Sequence, residues 1–163
     1  MEQKEFHSFY EKTALRLRAY IGRSSGSVDV ADDILQEAYI RFLRVTSLPA
    51  DDTSRRAYLY RIADSLIIEN FRRLRRENKG LLENLLNNVQ RDQDLGYDVR
   101  RAFSQLKPQQ RSLLWLAYVE GLNHQEIAAA TGIKENSVRV LLFRARKALL
   151  GIMNRFGLGP EIA

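Results

Sequence analysis

The 163-residue chain contains no cysteine, which excludes disulfides, thiolate metal sites and thiol nucleophiles. Its only histidines, His7 and His124, lie far apart in what read as different domains. Too few imidazole donors remain for a zinc site or a histidine-based dyad, so no metal and no other cofactor is expected. No apolar run approaches the roughly 20 residues that a bilayer span requires. The N-terminus, Met1-Glu2-Gln3-Lys4-Glu5, lacks the basic-then-apolar order of an export signal. A soluble cytoplasmic protein with no membrane insertion is the expectation. There is no glycine-rich phosphate loop, no metal-ligand cluster and no nucleophile paired with a base. Ser112 and Ser137 read as solvent-facing or DNA-facing, and an enzyme is not expected.

Proline is scarce (Pro49, Pro108, Pro160) and no sustained period-two alternation of β-branched residues occurs, so strands are not expected. What is present is helical patterning with 45% hydrophobic residues, enough for real cores. The net charge of +6 is unevenly spread: residues 1–76 carry 14 basic and 11 acidic side chains, 77–98 carry 2 and 5, and 99–163 carry 10 and 4. Two basic blocks flanking an acidic connector suit two polyanion-binding modules, because each neutralised phosphate releases condensed counterions.

The spacing predicts a first helix over about Lys4 to Ile21, with Phe6, Phe9, Leu17 and Tyr20 among its apolar residues, broken by the run from Gly22 to Ser27. A second helix opens near Asp29, an N-cap type, with Asp32 and Asp33 in its first turn where the helix dipole favours acids. Ala31, Ile34, Leu35, Ala38, Phe42 and Val45 form its apolar stripe, leaving Gln36, Glu37, Arg41 and Arg44 outside. Thr46 to Ser54 reads as a loop. A third helix, about Arg55 to Asn78, buries Leu59, Ile62, Ala63, Leu66, Ile67, Phe71 and Leu74. It ends in Arg72-Arg73-Leu74-Arg75-Arg76, more cations than dipole compensation needs, which points to polyanion contact.

The division is therefore all-α, with a first helical domain over 1–78, a linker over 79–96, a second domain over 97–155 and a tail over 156–163. Leu81, Leu82, Leu85 and Leu86 could form one amphipathic turn within the tether. In the second domain Val99, Ala102, Phe103 and Leu106 suggest one helix. Pro108 suits the first turn of the next, which buries Leu113, Leu114, Leu116, Ala117 and Trp115 and stops at Gly121.

Residues 123–151 read as a helix-turn-helix. Asn123 with Glu126 has the spacing of a capping box, Gly132 sits at a left-handed C-cap position, and a long helix follows from about Glu135. On that helix Val138, Leu141, Leu142, Ala145, Leu149 and Ile152 share one face at 100° per residue. Asn136, Val140, Phe143 and Lys147 cluster opposite, flanked by Arg139 and Arg144, a face suited to a DNA major groove. Asn136 or Arg139 can hydrogen-bond base edges and Val140 can meet a thymine methyl, while Arg144, Arg146 and Lys147 are phosphate partners.

At this point the chain resembles the extracytoplasmic-function (ECF) sigma factors, the smallest group of the sigma-70 family. Three motifs occur in the family's order. Asp32-Asp33-Ile34-Leu35-Gln36-Glu37-Ala38-Tyr39-Ile40-Arg41-Phe42 is similar to one conserved region. Arg56-Ala57-Tyr58-Leu59-Tyr60-Arg61-Ile62-Ala63 is similar to the next. Ser137 through Leu149 is similar to the recognition-helix signature.

The resemblance implies sigma domain 2, a flexible linker and sigma domain 4, acting with core RNA polymerase through its β′ clamp helices and β flap, and with promoter DNA. A restraining anti-sigma factor is a further implied partner. It places the polymerase contact at Asp33, Leu35, Gln36, Glu37 and Arg41. It places −10 element contacts at Ser47, Asp51, Arg55, Tyr58, Arg61, Ser65, Arg72, Arg73, Arg75 and Arg76. The −35 contacts fall at Asn136, Ser137, Arg139, Val140, Phe143, Arg144, Arg146 and Lys147. Two places depart from the pattern: Asp64-Ser65 stands where a basic residue followed by Asn is common, and Val140-Leu141 replaces polar or basic residues. With about ten residues after the last helix, the extra C-terminal domain of some subgroups is not expected. On residues alone, a stand-alone DNA-binding regulator and a helical protein that sequesters polymerase remain open.

Overall fold

In the first helix, α1 (Gln3–Ser25), Phe9, Thr13, Leu17, Tyr20, Ile21 and Ser24 are buried at steps of three and four, one stripe of an amphipathic helix. The computed structural model describes residues 1–25, 28–77 and 95–158. The expected break at Gly22 does not occur; the helix runs on through Ser25. Glycine inside a helix costs about 1 kcal/mol against alanine. Here the extra turn is held by tertiary contacts, with Ser24 buried and the Arg23 guanidinium 5.5 Å above the Trp115 ring.

Helix α2 (Val28–Leu43) buries Ala31, Ile34, Leu35, Ala38, Tyr39 and Phe42. Its packing on α1 is aromatic and specific: Phe9 and Phe42 stack with centroids 5.1 Å apart, and the Tyr39 hydroxyl lies 2.7 Å from that of Thr13. Helix α3 (Asp52–Glu77) begins three residues ahead of the expected Arg55. The Asp51 carboxylate accepts the Ser54 N–H at 2.8 Å, an N-cap type of bond that satisfies one of the orphan donors of the first turn. Ala57, Leu59, Ala63, Leu66 and Ile67 are buried, while Ile62, Phe71 and Leu74 are half-buried.

The remaining described helices are α4 (Leu95–Ser104), α5 (Pro108–Tyr118), α6 (His124–Thr131) and α7 (Glu135–Arg155). Pro108 occupies the first turn of α5, where its missing N–H costs nothing. The capping box of α6 is complete: Asn123 Oδ1 accepts the Glu126 N–H at 2.8 Å, and Glu126 Oε2 accepts the Asn123 N–H at 3.0 Å. Gly132 closes the helix at φ 76°, the left-handed conformation that glycine adopts without a Cβ clash. The core of this unit joins Ala102, Leu106, Leu113, Leu114, Leu116, Ile127, Val138, Leu142, Ala145 and Ile152. Leu141 and Leu149 are half-buried against it. The expectation for Leu81 to Leu86 lies outside the described residues.

Among the described residues every regular element is a helix. They form a three-helix unit (α1–α3) and a four-helix unit (α4–α7), and the two are packed together through α1 on α4 and α3 on α5 and α6. Tyr20 sits at the centre of that junction. Its ring meets Tyr60 at 5.1 Å, Trp115 at 5.2 Å and Phe103 at 6.0 Å, all edge-on, the arrangement aromatic quadrupoles favour.

Candidate nucleic-acid interface and partner face

Helix α7 is set by its buried side. Val138, Leu142, Ala145 and Ile152 face the core, which turns Asn136, Ser137, Arg139, Val140, Phe143, Arg144, Arg146 and Lys147 outward, every one exposed. Val140 and Phe143 remain 47% and 54% exposed, an apolar cost to a free helix that a groove contact would remove. The Lys147 ammonium lies 5.5 Å over the Phe143 ring, and Arg146 donates to the Tyr118 hydroxyl at 3.0 Å. Arg139 and Arg144 have no carboxylate partner among the described residues.

The second candidate surface runs along α3. Arg61, Arg72, Arg73, Arg75 and Arg76 are exposed and likewise have no carboxylate partner among the described residues. Ser65 is exposed and donates to the Arg61 carbonyl at 3.1 Å. Tyr58 is half-buried, with its ring 6.4 Å from Phe42. Ser47 is exposed. Asp51 and Arg55 have local work: Asp51 caps α3, and Arg55 binds the Pro49 carbonyl at 2.7 Å and Glu5 at 2.6 Å. That guanidinium holds the Glu5 carboxyl below the ordinary carboxylate range. Arg55 thus fixes the loop that precedes α3.

The third surface lies on α2. Asp33 and Gln36 are exposed beside a shallow hollow lined by Phe6, Tyr10, Leu35, Tyr39, Ile40 and Leu43. Leu35 is buried at its floor, at 9% exposure. Burial pushes the Tyr39 phenol up to about 12, so it stays neutral in that wall. Glu37 and Arg41 pair at 2.9 Å, and Arg41 reaches on to Glu69 of α3 at 3.2 Å. Arg41 is therefore shared between holding α2 to α3 and any outside contact.

The sequence reading missed a polar group of residues between the units. Asp64 is buried and accepts hydrogen bonds from Tyr20 at 2.5 Å and from Ser112. Burial raises its carboxyl above the ordinary range, opposed by those two bonds and by the Arg111 charge. Ser112, read from sequence as solvent-facing or DNA-facing, points into this junction instead, because α5 lies against α3. Glu120, whose side chain is 3% exposed, takes Arg56 at 3.0 Å, Arg16 at 3.3 Å and the Tyr60 hydroxyl at 2.9 Å. A signal was there: Arg56, Tyr60 and Asp64 recur every four residues, a polar row bordering the apolar stripe of α3.

A helical chain that ends in a helix-turn-helix, with an open cationic second helix, defines a DNA-binding protein of the transcription-factor class. A family model described as Sigma-70 region 2 matches residues 9–77, and one described as Sigma-70, region 4 matches residues 97–149. The ECF RNA polymerase sigma factor SigE of Mycolicibacterium smegmatis is 31% identical over 137 residues, which cover 78% of this chain and 53% of that one. The ECF RNA polymerase sigma-E factor of Escherichia coli is 28% identical over 170 residues, covering 91% of this chain and 86% of that one. This chain therefore spans about half the length of the mycobacterial relative and most of the enteric one.

The structure of the sigma factor RpoE in complex with the anti-sigma factor NepR from Bartonella quintana matches with a TM-score of 0.63 at 17% identity. That likeness of fold covers 93% of this chain and 98% of that one. The chain belongs to the sigma-70 family, in its extracytoplasmic-function group. Its family is one of transcription-initiation factors, not of enzymes.

Proposed function

We propose that this chain binds core RNA polymerase and directs it to promoters, with the three-helix unit holding a −10 element and α7 reading a −35 element as duplex. The observation that carries this reading is the pair of exposed cation sets without carboxylate partners, on α3 (Arg61, Arg72, Arg73, Arg75, Arg76) and on α7 (Arg139, Arg144), in a chain of this family. Phosphates would engage the α3 arginines, and the loop from Ser47 to Arg55 would take an extruded base, whose unstacking costs a few kcal/mol. The hollow on α2, rimmed by Asp33 and Gln36, together with the neighbouring Glu37 and Arg41, is the surface for the β′ clamp helices, and the four-helix unit meets the β flap.

The work is cytoplasmic, where polymerase acts; among the described residues no helix is long and apolar enough to cross a membrane. The genes served belong to a stress or envelope response, and an anti-sigma factor restrains the protein; the similar Bartonella sigma factor is found in complex with an anti-sigma factor.

The test is transcription by sigma-free core polymerase plus this protein on a fragmented genomic library, with start sites mapped. Starts preceded by two shared, evenly spaced elements are expected. Core binding without starts would favour a sequestering protein, and specific promoter binding without core would favour a stand-alone regulator.

A further inference from the structure

Between Val45 and Asp51 the chain crosses from α2 to α3 without helix or strand. Among the described residues, none of residues 46–50 takes part in a backbone–backbone hydrogen bond. Such a segment keeps one shape only through what its side chains and carbonyls are tied to. Three ties are present. Leu48 packs against the core of the three-helix unit. Asp51 caps the first turn of α3 through the Ser54 N–H at 2.8 Å. The third tie is the Pro49 carbonyl, which accepts from Arg55 Nε at 2.7 Å. Ser47 and Ala50, next to these fixed points, are exposed.

The third tie is itself held from another helix. Arg55 Nη1 lies 2.6 Å from Glu5 Oε1, in the first turn of α1, and 3.7 Å from Asp52 Oδ1. A guanidinium is a rigid plane, so a carboxylate that fixes one nitrogen aims the others. The Arg55 side chain is only 16% exposed, its charge is matched by Glu5, and two of its nitrogens are committed. It differs in this from Arg61, Arg72 and Arg75, which are exposed and have no carboxylate partner among the described residues. A phosphate arriving at Arg55 would have to displace contacts already made. The bland role for Glu5 is compensation of the α1 dipole. Dipole compensation needs no particular partner, and it leaves the bond to a residue 50 positions along the chain unexplained.

We propose that Glu5 and Arg55 are positioning residues for base selection: Glu5 aims the Arg55 guanidinium at the Pro49 carbonyl, and that bond sets the shape of the segment that receives the extruded base. The proposal rests on the function proposed above. It moves Arg55 from the residues that touch the strand to the scaffold behind them, and Glu5 acts through Arg55 alone.

Charge and shape predict opposite results here. Removing a carboxylate beside a polyanion site strengthens binding when charge alone matters. Removing one that shapes a pocket loses selectivity for the base in that pocket. Likewise a lysine can replace an arginine at a phosphate, but not where one planar group serves Pro49 and Glu5 together.

The test uses core polymerase loaded with the full chain and a randomised pool of single-stranded DNA, with the bound strands sequenced at low and at moderate salt. The wild type should enrich a short motif. Glu5→Ala and Arg55→Lys should each lose about tenfold of the preference at one position of that motif, the same position in both. A loss of that size is on the scale of one charge-assisted hydrogen bond. Preference at the other positions and the salt dependence of binding should stay. Circular dichroism should show full helix in both variants, since the apolar core of the three-helix unit is untouched.

Unchanged preference in both variants, or tighter binding by Glu5→Ala with the preference intact, overturns the positioning role. Preference kept by Arg55→Lys but lost in Glu5→Ala overturns Arg55 as the link. A loss spread evenly over all positions makes the pair a matter of general stability and overturns the proposal too. A wild type that enriches no base anywhere sinks base capture by this loop, and the positioning role falls with it. The other outcomes leave the function proposed above standing.

Discussion

The interiors of the two helical units and the junction between them are built from different materials. Within the units Leu17, Phe42, Leu59, Ile67, Leu113, Ile127 and Leu142 are fully buried and apolar. Between them the Tyr20, Tyr60, Phe103 and Trp115 rings pack together, and polar groups lie beside them: Asp64, Ser112, Glu120, the Tyr60 hydroxyl and the Trp115 N–H each have a partner across the junction. Apolar burial stabilises by about 25 cal/mol per Å² and is lost whenever water returns. A hydrogen bond exchanged for one to water nets only about 1 kcal/mol. The unit interiors hold almost only the first kind of surface, whereas the junction combines it with the second.

The largest way to break this comparison is inside a unit. Phe42→Ala removes a ring stacked on Phe9 in the three-helix core and should cost about 3–5 kcal/mol of unfolding free energy in a denaturant titration. A loss below 1 kcal/mol would mean that core is no more committed than the junction. Next is Arg139→Ala on the open face of α7. It should weaken binding to the −35 duplex by about 1–3 kcal/mol while leaving core-polymerase binding intact. Unchanged protection of the −35 region by the mutant holoenzyme would remove Arg139 from the reading set.

A smaller effect is expected from Asn123→Ala, which deletes one side of the α6 capping box. It should lower stability by about 1 kcal/mol, read as a reduced melting temperature of the full chain.

The smallest effect sharpens the polar side of the comparison. Asp64 faces Tyr20 from α1 and Arg111 and Ser112 from α5, and burial holds its carboxyl above the ordinary range. Unfolding rehydrates it and lets it fall back, so the folded form binds the proton more tightly. Its contribution to stability is then fully present below the ordinary carboxylate pKa of about 4 and weakens as pH rises through the raised value. Compared with Asp64→Asn, the wild type should therefore lose slightly more unfolding free energy as pH rises across that interval. A wild type that gains stability relative to that variant would mean the ionised carboxylate is the form the junction holds.

Much of this was legible in the sequence because it depends on local rules. The helical periods, the Asn123–Glu126 cap, the Gly132 turn and the outward face of α7 follow from spacing alone. The limits of α1 and α3 were misjudged where tertiary contacts or a cap shifted them, at Gly22 and at Asp51. Arg55 carries the same lesson. Its type and position suit DNA, yet Glu5 lies 50 residues away in sequence and 2.6 Å away in space.

Sequence by itself determined that the chain is helical, that it carries two basic modules and that its last long helix shows a cationic, partly apolar face to solvent. Each is a property of residues a few positions apart, fixed by the 3.6-residue period and by side-chain chemistry. Only the tertiary structure decided that Ser112 meets Asp64 and that Glu120 gathers Arg16, Arg56 and Tyr60. Those pairs span 48 to 104 residues, and no local rule ranks one distant polar partner above another until the backbone has brought them together.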